Sequence, residues 1–187
     1  MITVHELSMG LTGAWRLAHW DKAGLAYFDA SAKGALRSFF AALVALPLAA
    51  VFLGLDLARQ ELDTPVVAIV LVFLLAFALD WAAFPLAVLA LAPSMDFEDH
   101  VLRYIPALNW ARVLELVVLL PAAAIGGAEP GGLGVLFRLA LMIIVLVYHW
   151  FVAKSALEVT GPQAAFLVGL NLVMGFIISL WALSLIR

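Results

Sequence analysis

Apolar positions along this chain fall into five long, nearly uninterrupted runs, roughly 36–55, 65–92, 105–125, 133–153 and 164–186. Each is close to the length of about 20 residues that a helix needs to cross a hydrocarbon core of about 30 Å. The runs do not alternate as barrel strands do, and they are rich in Leu, Ala and Val, so helices are the expected spanning elements. The pattern predicts an all-α fold: a polytopic transmembrane bundle of five spanning helices in one domain, residues 36–187. Residues 1–35 form a separate cytoplasmic or interfacial amphipathic segment with a short helix of its own.

In that first segment Leu11, Ala14, Trp15 and Ala18 recur at helical spacing, with Arg16 and His19 on other faces. Aromatic and basic residues so arranged suit a helix lying in the membrane interface, or one packed on the protein's own surface. Asp21-Lys22-Ala23-Gly24 reads as a turn, and Ser31 as the N-cap of the first spanning helix. Thr64-Pro65 opens the second run with a proline whose missing N–H costs nothing there. Thr160 and Gln163 carry the spacing of a capping box, and the glycine-rich stretch 126–132 reads as an outer turn. Pro47, Pro85, Pro106 and Pro121 lie inside runs, where proline shapes packing or makes a hinge; Pro85 is expected to divide the longest run into a spanning and a bent part.

Composition sharpens the membrane reading. Hydrophobic residues make up 66% of the 187 and charged residues 12%, about half the charged share of a soluble domain. A net charge of −3 argues against a general nucleic-acid surface. With no cysteine, disulfides and thiolate metal sites are excluded. The first 35 residues lack a signal-peptide pattern, so the first span is expected to stay as an anchor. Five spans put the termini on opposite sides. Arg16, Lys22, Lys33, Arg37, Arg103, Arg112 and Lys154 then share the side of the N-terminus, against Arg59, Arg138 and Arg187. The positive-inside bias makes the N-terminus cytoplasmic, in a membrane expected to be a bacterial inner membrane.

Polar residues inside the runs are the candidate site. Asp80, Asn109, Arg112, Glu115, His149 and Asn171 come from four helices, and a rise of about 1.5 Å per residue brings them to one leaflet. Charges at such depth are costly and must pair; matching depth favours Asp80 with Arg112, and Arg112 with Glu115 is an i, i+3 alternative. Three readings follow: polar groups that hold helices together, a proton or solute path along Asp80, Glu115 and His149, or lipid-headgroup contacts from Arg37, Arg112 and Lys154. Trp15, Trp20, Trp81, Trp110 and Trp150 are read as interfacial anchors. No nucleophile elbow, zinc-binding helix or phosphate-cradling glycine loop occurs, so no catalytic residue, metal or cofactor is expected.

The stretch Val147-Tyr148-His149-Trp150-Phe151-Val152-Ala153-Lys154-Ser155-Ala156-Leu157-Glu158-Val159-Thr160-Gly161-Pro162-Gln163-Ala164-Ala165 resembles the passage between the fourth and fifth spans of the Yip-type family of small five-span membrane proteins. Tyr104-Ile105-Pro106-Ala107-Leu108-Asn109-Trp110-Ala111 is similar to stretches of short bacterial inner-membrane proteins of the same build. The resemblance implies a role in membrane organisation and transfers no catalytic residues. The sequence is thus read as a non-enzymatic scaffold or accessory subunit, with the lipid bilayer and other integral membrane subunits as partners and no nucleic acid. Small-residue faces at Ala41/Ala45/Ala49 and Gly169/Gly175 offer close helix approach. The alternative is a small transporter or proton-coupled channel built on the Asp80, Arg112, Glu115 and His149 set.

Overall fold

The computed structural model describes residues 3–57, 64–125 and 133–186. The expected outer turn at 126–132, together with Arg59 and Arg187, lies outside the described residues. Among the described residues seven α-helices follow one another: α1 (Val4–Ala18), α2 (Ala32–Ser38), α3 (Phe40–Leu57), α4 (Val66–Met95), α5 (Val101–Ile125), α6 (Leu133–Leu157) and α7 (Gly161–Leu185). Short 3-10 turns at Lys22–Tyr27 and Glu98–His100 join the first and middle pairs. Five helical stretches among the described residues are long and apolar enough to cross a membrane: Ala32–Leu55, Val66–Met95, Glu98–Pro121, Leu133–Leu157 and Gly161–Leu185. The first is interrupted only at Phe39, between α2 and α3.

Local chemistry explains the boundaries. The Ser31 hydroxyl accepts from the Gly34 amide at 3.0 Å, the cap expected of it. Thr160 and Gln163 form a reciprocal capping box at the start of α7, and Thr3 with Glu6 forms another at the start of α1. The Asp21 carboxylate caps the 3-10 turn by accepting from the Ala23 amide at 2.9 Å. That bond, with the Arg16 guanidinium 2.6 Å away, holds the Asp21 carboxyl below the usual carboxylate range. Pro85 does not divide its run. α4 continues through it as one helix of 30 residues and ends only where Asp96 turns left-handed, at φ 58°. Thr64 does not cap α4; its hydroxyl donates to the Ile186 carbonyl at 2.8 Å, tying the start of α4 to the end of α7.

The helices pack unevenly along their length. At one end, the C-terminal halves of α4 and α6, the N-terminal half of α5, the start of α7, and α1 with α2 form a continuous core around Phe84, Val88, Phe97, Tyr104, Leu108, Val152, Leu157 and Leu167. α5 is the hub, touching α1, α2, α3, α4 and α6. Toward the other end α4, α6 and α7 present Leu71, Leu75, Leu136, Ile143, Phe176 and Ile177 outward. Such large exposed apolar surface suits lipid rather than water.

α1 packs against this core through Gly10, Gly13, Ala14 and Leu17, all buried. The buried face is therefore offset from the expected stripe: Ala14 belongs to it, whereas Trp15 and Ala18 face outward. Glycines make the contact because α1 approaches closely: a Cβ added at Gly10 runs into the buried Trp110 indole. The Ala41/Ala45/Ala49 stripe is likewise buried on α3, the helix that packs on α5. The Gly169/Gly175 face does not behave this way. Gly169 meets nothing within 4 Å, and Gly175 approaches only the Asp80 carboxylate.

Gly10→Leu is expected to force α1 off α5 and cost roughly 1–3 kcal/mol, the range for overpacking. This is read as a lower thermal midpoint of the purified chain in detergent. Gly169→Leu, which enters open space, should not lower it. A Gly10→Leu midpoint equal to that of the parent chain would show that the Gly10–Trp110 contact does not hold α1.

Candidate functional site

The predicted polar residues come together around α5, but in three groups rather than one. The first centres on Arg112, whose side chain is only 7% exposed. Its Nη1 donates to the Asp80 backbone carbonyl at 3.1 Å, and its Nη2 donates to Asn171 Oδ1 at 3.1 Å. The Asp80 carboxylate stands farther off, 3.5 Å from Nη2, and is 39% exposed. The guanidinium also lies over the Trp81 ring, 5.4 Å from its centroid. One cation thus joins α5 to both α4 and α7. The expected Asp80–Arg112 pair is present, but the shorter bond runs to the main chain of Asp80.

Glu115 belongs to the second group. It pairs with His149 on α6, Nε2 to Oε2 at 2.9 Å, rather than closing on Arg112 along its own helix. The third group is Asn109, which faces α2: its Nδ2 donates to the Ser38 hydroxyl at 2.8 Å, and that hydroxyl donates to the Ala35 carbonyl at 2.6 Å. Asn109 is therefore not part of the Arg112 cluster. The α5 helix turns its polar residues to different neighbours, which is how one element fixes several.

A cleft of about 430 Å³ opens beside the first two groups, between α3, α4, α5 and α7. Asp80, Arg112, Glu115, Asn171 and Ser179 supply its polar lining, and Ala49, Phe77, Leu116 and Phe176 supply apolar walls. Chemically it offers carboxylates, a guanidinium already engaged, an amide and a hydroxyl. Among the described residues, no three His, Asp or Glu side chains converge as a metal site.

The tryptophans divide by position. Trp15 and Trp20 are exposed, and Trp150 is half-buried with its indole N–H donating to the Gly161 carbonyl at 2.9 Å. Trp81 and Trp110 are buried inside the bundle, so they are packing residues and not surface anchors. Of the residues read as lipid-headgroup contacts, Arg37 is paired with Glu6 at 2.7 Å, and Arg112 is buried in the cluster just described. Lys154 is half-buried, its ammonium 4.9 Å from the Trp150 ring centroid.

One clamp escaped the sequence reading. Arg103 donates through Nε and Nη2 to the Ala156 carbonyl at 2.9 and 2.7 Å, and through Nη2 to Glu158 at 2.8 Å. It covers an open carbonyl at the C-terminal end of α6. The Arg103 guanidinium holds the Glu158 carboxyl below its ordinary range. Arg103 and Glu158 both border predicted helix ends of complementary charge, a signal that identifies the pair only once α5 and α6 are known to be neighbours. Comparison with protein-family models, curated proteins and solved structures finds no match to this chain.

Arg112→Leu removes donors to α4 and α7 and leaves Asp80 without its cation. The expected cost is about 3–5 kcal/mol. Asp80→Asn keeps the main-chain acceptor and should cost only about 1 kcal/mol. Denaturation of both variants in the same detergent checks this; equal losses would contradict the assignment of the shorter bond as the main anchor.

Proposed function

We propose that this protein is a non-enzymatic integral membrane protein, a scaffold or accessory subunit of a larger membrane assembly or of local membrane organisation. The observation that carries the proposal is the use made of Arg112. Its guanidinium is spent on acceptors from α4 and α7 and on the Trp81 ring, as a group that holds helices together. His149 and Glu115 serve α5 and α6 in the same way. The long outward faces of α4, α6 and α7 leave ample surface for neighbouring helices or lipid. The likeness of 147–165 to the passage between the fourth and fifth spans of the Yip-type family supports the same role.

Orientation belongs to this proposal too. The seven basic residues assigned to the cytoplasmic side all fall in α1, the Lys22–Tyr27 turn, α2, the N-terminal half of α5 and the last turn of α6. These elements gather at the packed end, which supports a cytoplasmic N-terminus and a C-terminus across the membrane. A bacterial inner membrane is the setting that best suits the resemblance.

A specific observation favours a second reading, a small transporter or proton-coupled channel: the 430 Å³ cleft reaches Asp80, Glu115 and Asn171. The two readings separate in one experiment. The chain is isolated from its native membrane in mild detergent, sized by light scattering, and then reconstituted alone in vesicles carrying a pH-sensitive dye. The scaffold reading expects a stoichiometric complex larger than the chain itself and vesicles as proton-tight as empty ones. A lone chain that conducts protons, and stops conducting as Asp80→Asn or Glu115→Gln, would overturn it in favour of transport.

A further inference from the structure

Away from the ionic cleft, a groove of about 240 Å³ runs between the C-terminal end of α1 and the middle of α6. Ile143, Ile144, Val147 and Phe151 line it on α6, and Leu17 and Trp20 close it at the α1 end. The Tyr148 hydroxyl, on its wall, is occupied as donor to the Ala14 carbonyl at 2.9 Å. Trp20 adopts φ 63°, a conformation that costs a bulky L residue energy and persists only where the surroundings hold it. In that conformation its indole meets the Phe151 ring edge-on at 4.8 Å and roofs the groove.

Position says what such a groove meets. α1 does not sit on top of the bundle. Gly10 lies against Trp110 and Ala14 is bonded by Tyr148, each about 13 Å inward from the packed end of its helix. The outward face of α1 carries Ser8, Thr12, Trp15 and His19, a polar and indole surface suited to the headgroup level. The groove therefore starts at headgroup level and descends along α6 for about 12 Å, from Phe151 to Ile143, into the apolar half.

Two lysines follow its upper-end residues along the chain, outside the groove lining itself, the Lys154 ammonium resting 4.9 Å from the Trp150 ring. Lys22 follows Trp20 by two residues and is exposed. Lys154 lies on the same face of α6 as Ile143 and Val147, one turn beyond Phe151. Neither makes an ion pair within 4 Å among the described residues. The nearby acids are taken, Asp21 by Arg16 at 2.6 Å and Glu158 by Arg103 at 2.8 Å. We infer that the groove is a lipid site: it holds one acyl chain of an anionic phospholipid whose phosphate is met by Lys22 and Lys154. The inference needs only that the helices cross a membrane, and holds for a scaffold or a transporter alike.

The test titrates the purified full chain in detergent with palmitoyl-oleoyl phosphatidylglycerol or with the phosphatidylcholine of the same chains, counting bound lipids by native mass spectrometry. Each lysine near the surface contributes about fivefold, so the first phosphatidylglycerol should bind roughly thirtyfold more tightly than the first phosphatidylcholine. The double change Lys22→Gln with Lys154→Gln should abolish that preference and leave acyl-chain binding. Val147→Trp fills the groove and should weaken the first site for both lipids roughly tenfold, the loss of about two buried methylenes. Ala18→Trp, at the exposed rim, makes the same test should Val147→Trp fail to fold. Equal binding of the two lipids to the parent chain, a preference that survives loss of both lysines, or a first site indifferent to groove filling would each overturn the proposal.

Discussion

A guanidinium about 16 Å along a helix buried at the centre of an apolar bundle must be matched by acceptors from the protein itself, because apolar surroundings offer none. Arg112 meets that constraint with a carbonyl of α4, an amide oxygen of α7, a carboxylate and an indole face. The rest of the arrangement follows from it. Once α4 and α7 are fixed to α5 at this level, α7 meets α6, α6 brings His149 to Glu115, and α2 with α3 closes the other side of α5 through Ser38 and Asn109. The polar residues of α5 thereby specify its neighbours, Asn109 to α2, Arg112 to α4 and α7, and Arg103 with Glu115 to α6, which purely apolar contacts between helices in lipid do poorly.

The two ends of the bundle answer to different solvents. Around the N-terminal half of α5 the side chains interlock as in a water-soluble core, with Arg103 sealing the end of α6 and α1 laid against the flank. Beyond Arg112 the helices turn leucine, isoleucine and phenylalanine outward. Lipid solvates those side chains about as well as other helices do, so little drives that half together. The cleft beside Asp80 lies where the two regimes meet.

Much of this was legible in the sequence, for identifiable reasons. Run length marks spanning helices because hydrocarbon thickness is a fixed ruler. Ser31 and the Thr160/Gln163 pair show their role by chemistry local to a few residues. Asp80 and Arg112 could be paired because depth along a helix is simple arithmetic. What depth cannot give is rotation, and the differences lie there. Glu115 turned to His149 instead of Arg112, Asn109 faced Ser38, and Trp81 with Trp110 went inside. The buried face of α1 was shifted for another reason. A hydrophobic pattern seeks large side chains, whereas a close helix contact is made by Gly10 and Gly13, which carry none.

The reading of the protein as a membrane-organising subunit, its polar cluster holding helices and its α1–α6 groove taking lipid, depends on lipid being the medium around the open half. The chain has no cysteine, so single nitroxide labels can be placed at will. Labels at Leu71, Leu136 and Ile177, compared with one at the exposed Glu98, in phospholipid vesicles measure that medium directly. The account predicts that dissolved oxygen relaxes the first three strongly and a water-soluble nickel chelate hardly at all, with the order reversed at Glu98. Strong relaxation of Leu71, Leu136 and Ile177 by the chelate would contradict it.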